Sequence, residues 1–194
     1  TNEGVGEDDA YNQIKLYQRQ IPCLFVYNAF NVISDMLTTR AGTLTAKQER
    51  YMEWKTRDGE YESAAVADYA TFFQGIFQKE RLLDLIQNFQ CFDKADGKAW
   101  KILGAYHQYF AVNKALCRTK EAVEGNGKIG VFWHTQGSGK SFSMLFFTHL
   151  VIKHFAESTI LVVTDRKDLD QQLFGQFGRC KDFLRTEPVN AQSR

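Results

Sequence analysis

Thr135-Gln136-Gly137-Ser138-Gly139-Lys140-Ser141 stands between an apolar run, Lys128 to Trp133, and an apolar helical segment, Lys140 to Ala156. Strand, glycine turn and helix in that order are the context a phosphate-binding P-loop requires. Small residues let the backbone curl so that successive N–H groups face phosphate oxygens. The positive end of a helix starting near Lys140 adds a favourable field. In such a loop Lys140 reaches the β- and γ-phosphates of ATP, and the Ser141 hydroxyl sits on Mg²⁺. The strict pattern asks for glycine five positions before Gly139, where this chain has His134. That departure suits the helicase-like variant, Thr-Gly/Gln-x-Gly-Lys-Ser/Thr. The alternative is an ordinary strand–turn–helix connection that carries Gly-Ser-Gly-Lys-Ser by chance.

Working outward, a second apolar run, Thr159 to Val163, follows the helix, and another helix begins near Asp168. Strand, helix and strand of continuous apolar character predict a βαβ unit of a parallel sheet. Upstream, Glu124-Gly125-Asn126-Gly127 ends a long helix expected from about Trp100 to Val123, and Ala95-Asp96-Gly97 marks a turn before it. Earlier still the spacing predicts a helix over Tyr11 to Gln20, stopped by Pro22, and short strands over Phe30 to Ser34 and Arg40 to Thr45. A turn-prone segment around Asp35 separates those strands. A polar patch runs from Lys47 to Glu62, followed by helices over Ala64 to Phe77 and Glu80 to Phe89.

Composition narrows the classes. The 194 residues are 44% hydrophobic and 24% charged, so the chain is globular, with room for one domain or parts of two. Lys+Arg (24) and Asp+Glu (23) nearly cancel, which argues against a polybasic coat protein. Cys23, Cys91, Cys117 and Cys180 show no zinc-like spacing and read as reduced, mostly buried thiols of a cytoplasmic protein. No apolar stretch reaches spanning length, and no signal peptide is visible. The acidic opening from Thr1 does not look like a natural start, and Arg194 falls where an α/β domain should still have strands to come.

The text from Val131 to Ser141 resembles motif I of the R (restriction and motor) subunit of type I restriction enzymes. Thr164-Asp165-Arg166-Lys167-Asp168-Leu169-Asp170-Gln171-Gln172-Leu173 resembles the following motif Ia, and Tyr11-Asn12-Gln13-Ile14-Lys15-Leu16-Tyr17 resembles the Gln-x-x-x-Tyr helix of that family's nuclease domain. The resemblance implies an α/β chain: residues 1–92 as the back part of a PD-(D/E)xK nuclease with connecting helices, and residues 93–194 as the opening of a RecA-like motor domain. It implies ATP-driven translocation of double-stranded DNA and cleavage at a distance, by an enzyme that also contains modification and specificity subunits. ATP and Mg²⁺ are the implied cofactors, the implied compartment is the cytoplasm, and no membrane is involved.

Four groups of residues carry the implied site. Residues Thr135 to Ser141 grip the triphosphate, with Lys140 and Ser141 in the catalytic roles. Gln13 and Tyr17, four apart on one helix face, support DNA cleavage without ligating metal. Gln108 reads adenine, because an amide both donates and accepts. Arg166 and Lys167 follow the second apolar run and could touch DNA phosphates. Glu53-Trp54-Lys55 spells Glu-x-Lys but follows the Gln-x-x-x-Tyr helix in a polar stretch, so it reads as surface or interdomain structure. The nuclease metal ligands are expected outside this text. Alone, the chain is expected neither to turn over ATP nor to cut DNA appreciably.

The helix after the loop is expected to turn Phe142, Phe146, Phe147 and Phe155 into the core. His107, His134, His149 and His154 lack metal-ligand spacing. Two rival readings remain: a stand-alone P-loop NTPase or kinase acting on a small acceptor, with Asp165 as its only candidate acidic Mg²⁺ ligand, and a non-catalytic module keeping a vestigial fold.

Overall fold

The computed structural model describes residues 6–35, 38–60 and 69–191. They fall into two compact units: residues 1–87 with 101–106, and residues 88–100 with 107–194.

In the first unit helix α1 spans Glu7–Gln20 and starts four residues before the predicted helix. The reason is local: Glu7, Asp8 and Asp9 fill its first turn, where the helix dipole favours acids, and Asp9 Oδ2 accepts the Gly6 N–H at 3.3 Å. Strands β1 (Asn31–Ser34) and β2 (Thr39–Gly42) pair antiparallel, with Ile33 opposite Arg40. Asp35 closes the turn by accepting from Thr38 N (2.6 Å) and Thr38 Oγ1 (3.1 Å). A single bridge, Ala41 to Met52, continues the ladder. Helices α2 (Tyr69–Ile76) and α3 (Lys79–Asn88) supply Phe72, Ile76 and Leu85 to a core shared with Ile33, Tyr51 and Trp54. The predicted start of α2, Ala64 to Asp68, lies outside the described residues.

The second unit opens with β3 (Gln90–Ala95), which pairs with β4 (Lys98–Leu103). Asp96 and Gly97 both have positive φ (52° and 71°), the conformation a two-residue hairpin turn demands. This hairpin corrects the predicted helix over Trp100 to Val123. Residues 98–103 pair back on β3, Gly104-Ala105 interrupts, and helix α4 spans only Tyr106–Glu124. Helices α5 (Lys140–His154), α6 (Lys167–Arg179) and α7 (Lys181–Leu184) complete the unit. Phe89, Val112, Leu145, Phe146, Leu173, Phe177 and Leu184 are buried in it. Of the four phenylalanines expected in the core face of α5, Phe146 alone is buried; Leu145, Leu150, Ser143 and Thr148 fill the remaining inward positions.

The predicted parallel βαβ unit is not formed among the described residues. Lys128 to Trp133 and Thr159 to Val163 carry no strand pairing, and both sheets are two-stranded and antiparallel. An apolar run becomes a strand only when a partner takes its N–H and C=O groups, and neither run has a strand partner among the described residues. The chain is a mixed α/β protein with small antiparallel sheets.

The thiols divide evenly. Cys91 and Cys180 are buried, while Cys23 and Cys117 are exposed, contrary to the expectation of mostly buried thiols. Cys91 shares a hydrogen bond with Cys180, which together with burial keeps the Cys91 proton on well above the usual thiol range.

Candidate nucleotide and DNA-handling sites

The second unit builds the glycine turn from its own residues. Ser138 N donates to the Thr135 carbonyl (3.3 Å) and Ser138 Oγ donates to the same oxygen (2.7 Å), so the loop curls back on itself. Gly139 sits at φ 79°, ψ 34° and caps α5, its carbonyl accepting from Phe142 N (3.0 Å) and Ser143 N (3.1 Å). Only glycine serves there. A Cβ would face left-handed strain and would lie 2.7 Å from Gln108 Nε2. Lys140 Nζ folds over the loop and donates to the carbonyls of His134 (2.6 Å) and Thr135 (3.2 Å). Thr135, Gln136, Gly137 and Lys140 are exposed, while Ser138, Gly139 and Ser141 are half-buried. The loop therefore offers backbone, amine and hydroxyl on one accessible turn.

Helix α4 meets this loop with two consecutive side chains. Gln108, buried, donates Nε2 to the Gly139 carbonyl at 2.9 Å. His107 Nε2 lies 3.1 Å from the Ser138 carbonyl. The His107 ring stands edge-on to that of His134 (5.2 Å between centroids), and His134 packs against Phe132 (4.5 Å). Burial, then His107, then Lys140 hold His134 below its ordinary pKa, favouring the neutral ring. Sequence reasoning singled out Gln108 but passed over His107, which shows no metal spacing and no periodicity signal. Its adjacency to Gln108 was the clue.

Arg166 and Lys167 are exposed where the second extended run enters α6, Arg166 as the N-cap and Lys167 as the first helical residue.

In the first unit Gln13 and Tyr17 lie on the outward face of α1, and Gln13 Nε2 donates to Tyr17 Oη at 2.8 Å. Lys15, between them in sequence, turns inward and donates to the Leu44 carbonyl (2.6 Å); burial lowers its pKa. Glu53 is bound up in ion pairs with Lys55 (3.1 Å) and Arg40 (3.8 Å), and Arg40 also pairs with Glu7 (3.1 Å). Trp54 is buried against Gly75, where a Cβ would approach its ring to 2.2 Å, and stands edge-on to Tyr106. Glu53-Trp54-Lys55 is thus a packed tryptophan flanked by a salt-bridged pair. Among the described residues no group of three or more His, Cys, Asp or Glu side chains could hold a metal ion, and no helix is long and apolar enough to cross a membrane.

Comparison with known proteins agrees with these two regions. The N-terminal region of type I restriction enzyme R proteins matches residues 2–50, and the SWI2/SNF2 ATPase family matches residues 107–194. The type I restriction enzyme HindI endonuclease subunit of Haemophilus influenzae is 42% identical over 193 residues, covering 95% of this chain and 18% of that protein. The putative type I restriction enzyme MjaIXP endonuclease subunit of Methanocaldococcus jannaschii is 32% identical over 193 residues, 87% of this chain and 18% of its own length. A Staphylococcus aureus relative, the SauCOLORF180P endonuclease subunit, is 24% identical over 182 residues. The chain spans about 18% of the length of the relatives it matches. Over that segment, an R-protein N-terminal match followed by an ATPase match in one chain, with relatives of a single kind, places it in the family of type I restriction enzyme endonuclease (R) subunits.

Proposed function

We propose that this chain contributes the ATP-gripping loop and a DNA-handling helix to an R subunit that pumps double-stranded DNA and cleaves it, in a cytoplasmic complex with modification and specificity subunits. Residues 1–92 serve the nuclease side and residues 93–194 open the motor. The observation that carries the reading is the Thr135–Ser141 turn: glycine at positive φ, lysine folded over loop carbonyls, and a helix starting at Lys140. In use, Lys140 leaves those carbonyls for the phosphates of ATP, and Ser141 supplies a hydroxyl ligand for Mg²⁺. A half-buried hydroxyl in the first turn of α5 suits that ion, which takes few protein ligands and several phosphate or water oxygens. When bound, Mg²⁺ would neutralise charge on the phosphoryl oxygens.

Gln13 and Tyr17, held to one another on the surface of α1, are placed to meet DNA. Arg166 and Lys167 would touch its phosphate backbone, which suits a motor indifferent to sequence. Gln108 would read adenine as well as holding the loop. The exposed apolar runs Lys128 to Trp133 and Thr159 to Val163 would be inner strands of a parallel RecA-like sheet, paired by strands from the rest of a longer polypeptide. A cavity of about 820 Å³ lies along the second run, lined by Ile160, Val162, Leu173, Phe177 and Val189.

The test is ATP-driven displacement of a DNA-bound oligonucleotide by the complete subunit assembled with its partners. Lys140→Ala should lower both hydrolysis and displacement by about a hundredfold or more. Unchanged displacement would overturn the reading.

A further inference from the structure

We infer that His107 is a positioning residue of the phosphate loop: with Gln108 it holds two consecutive loop carbonyls, and so aims two consecutive N–H groups at the phosphates. The inference rests on the reading of Thr135–Ser141 as a nucleotide site and adds to it a residue outside the loop. A carbonyl oxygen only accepts, so His107 Nε2, 3.1 Å from the Ser138 carbonyl, carries the proton and donates. Gln108 Nε2 donates to the next carbonyl, that of Gly139, at 2.9 Å. In a trans peptide unit the C=O and the N–H that follows it point in opposite directions. Tying the Ser138 carbonyl toward α4 therefore turns the Gly139 N–H away from α4. Tying the Gly139 carbonyl does the same for the Lys140 N–H. Among the described residues neither amide is taken by a turn or cap hydrogen bond. The result is a pair of parallel donors, set before any ligand arrives, on the side of the loop opposite the helix.

The same geometry accounts for His134, which stands where the generic loop has glycine. Its ring braces the His107 ring edge-to-face at 5.2 Å and is itself backed by Phe132. A glycine at 134 would leave His107 without that wall. His134 contributes packing, since its Nδ1 is buried with no hydrogen-bond partner among the described residues. Burial lowers its pKa, and so do His107 and Lys140, which keeps a second positive charge away from the lysine.

Three substitutions separate donation from packing, with steady-state ATP hydrolysis read in the complete subunit assembled with its partners. His107→Phe keeps a ring against His134 and removes the donor; KM for ATP should rise about tenfold, the usual effect of losing one such hydrogen bond. In the same variant kcat should stay within about twofold, because Lys140 is untouched. His107→Gln returns an N–H at similar reach and should recover most of the lost affinity. His107→Ala should resemble the phenylalanine variant in KM, with an unfolding temperature close to the parent's. If His107→Phe matches the parent, or if all three variants fall together with a lowered unfolding temperature, the positioning role is wrong while the phosphate loop stands. If Lys140→Ala leaves hydrolysis intact, the loop reading fails and takes this inference with it.

Discussion

Ile33 and Val131 are both β-branched residues in short apolar runs, yet Ile33 is 2% exposed and Val131 is 96% exposed. Ile33 lies in a strand that pairs with β2 through a local turn closed by Asp35, and the buried residues of α2 and α3 in the same unit complete the core around it. Val131 lies in a run flanked by helices that pairs with no strand among the described residues, and a parallel neighbour for such a run would need a long crossover connection. The contrast separates two kinds of β information. Hairpin strands carry their own partner; parallel strands state only that a partner is needed. The first unit buries its strands on that account, and the second presents two exposed apolar runs.

The sharpest way to break the comparison is to open the closed unit. Trp54 fills the space over Gly75, and Trp54→Ala should cost about 3–5 kcal/mol, as expected for deleting a buried aromatic. Amide hydrogen exchange should then lose protection over β1, β2 and α2 while α5 and α6 keep theirs. Uniform loss across both units would show that they unfold as one, and the contrast would fail. The same substitution tests the Glu-x-Lys text, because a tryptophan that anchors a core leaves Glu53 and Lys55 in an ion-pair network with Arg40.

Much of this was legible from residue order alone. The helix carrying Gln13 and Tyr17, the strands β1 and β2 with the turn at Asp35, and the glycine turn before α5 all depend on contacts within a few residues or on one short connection. What escaped was decided by competition. Residues 98–103 show helix-like spacing of Ile102 and Leu103 with Tyr106, but Asp96-Gly97 forms a tight turn that pairs them with Gln90–Ala95 first. The two apolar runs read as strands of a parallel sheet, yet neither has a strand partner among the described residues. In the site, Gln108 stood out through its amide, whereas His107 gained meaning only once its Nε2 was seen on the Ser138 carbonyl.

A smaller effect probes how the second unit holds itself together. His149 places Nδ1 3.0 Å from the Phe183 carbonyl and Nε2 3.3 Å from Asn88 Oδ1, with its ring stacked on Phe183 at 4.1 Å. Burial lowers its pKa, Lys153 and Arg185 act the same way, and the Phe183 contact opposes them. The folded state therefore resists a proton that the unfolded chain accepts near 6.5, its ordinary value. Stability contributed by this group is complete above that pH and declines as pH falls below it. Urea midpoints of the second unit, compared between pH 7.5 and 5.5, should show the loss, below about 1 kcal/mol. His149→Gln should flatten part of it. An unchanged slope would place the acid sensitivity elsewhere, with His134 as the next candidate since its pKa is lowered too.

The smallest expected effect is the most informative about the open edges. Val131→Thr with Leu161→Thr changes two residues that are 96% and 76% exposed, so the unfolding midpoint of this chain should stay within about 0.5 kcal/mol of the parent. Ile33→Thr, which introduces a hydroxyl at a buried position of a paired strand, should cost about 2 kcal/mol. In a full-length R subunit the ranking should change: once neighbouring strands cover residues 131 and 161, the double substitution places two hydroxyls in a sheet interior and becomes as costly as Ile33→Thr. A double variant that is neutral in both settings would mean that these runs stay at the surface, and the parallel sheet assigned to them would have to be given up.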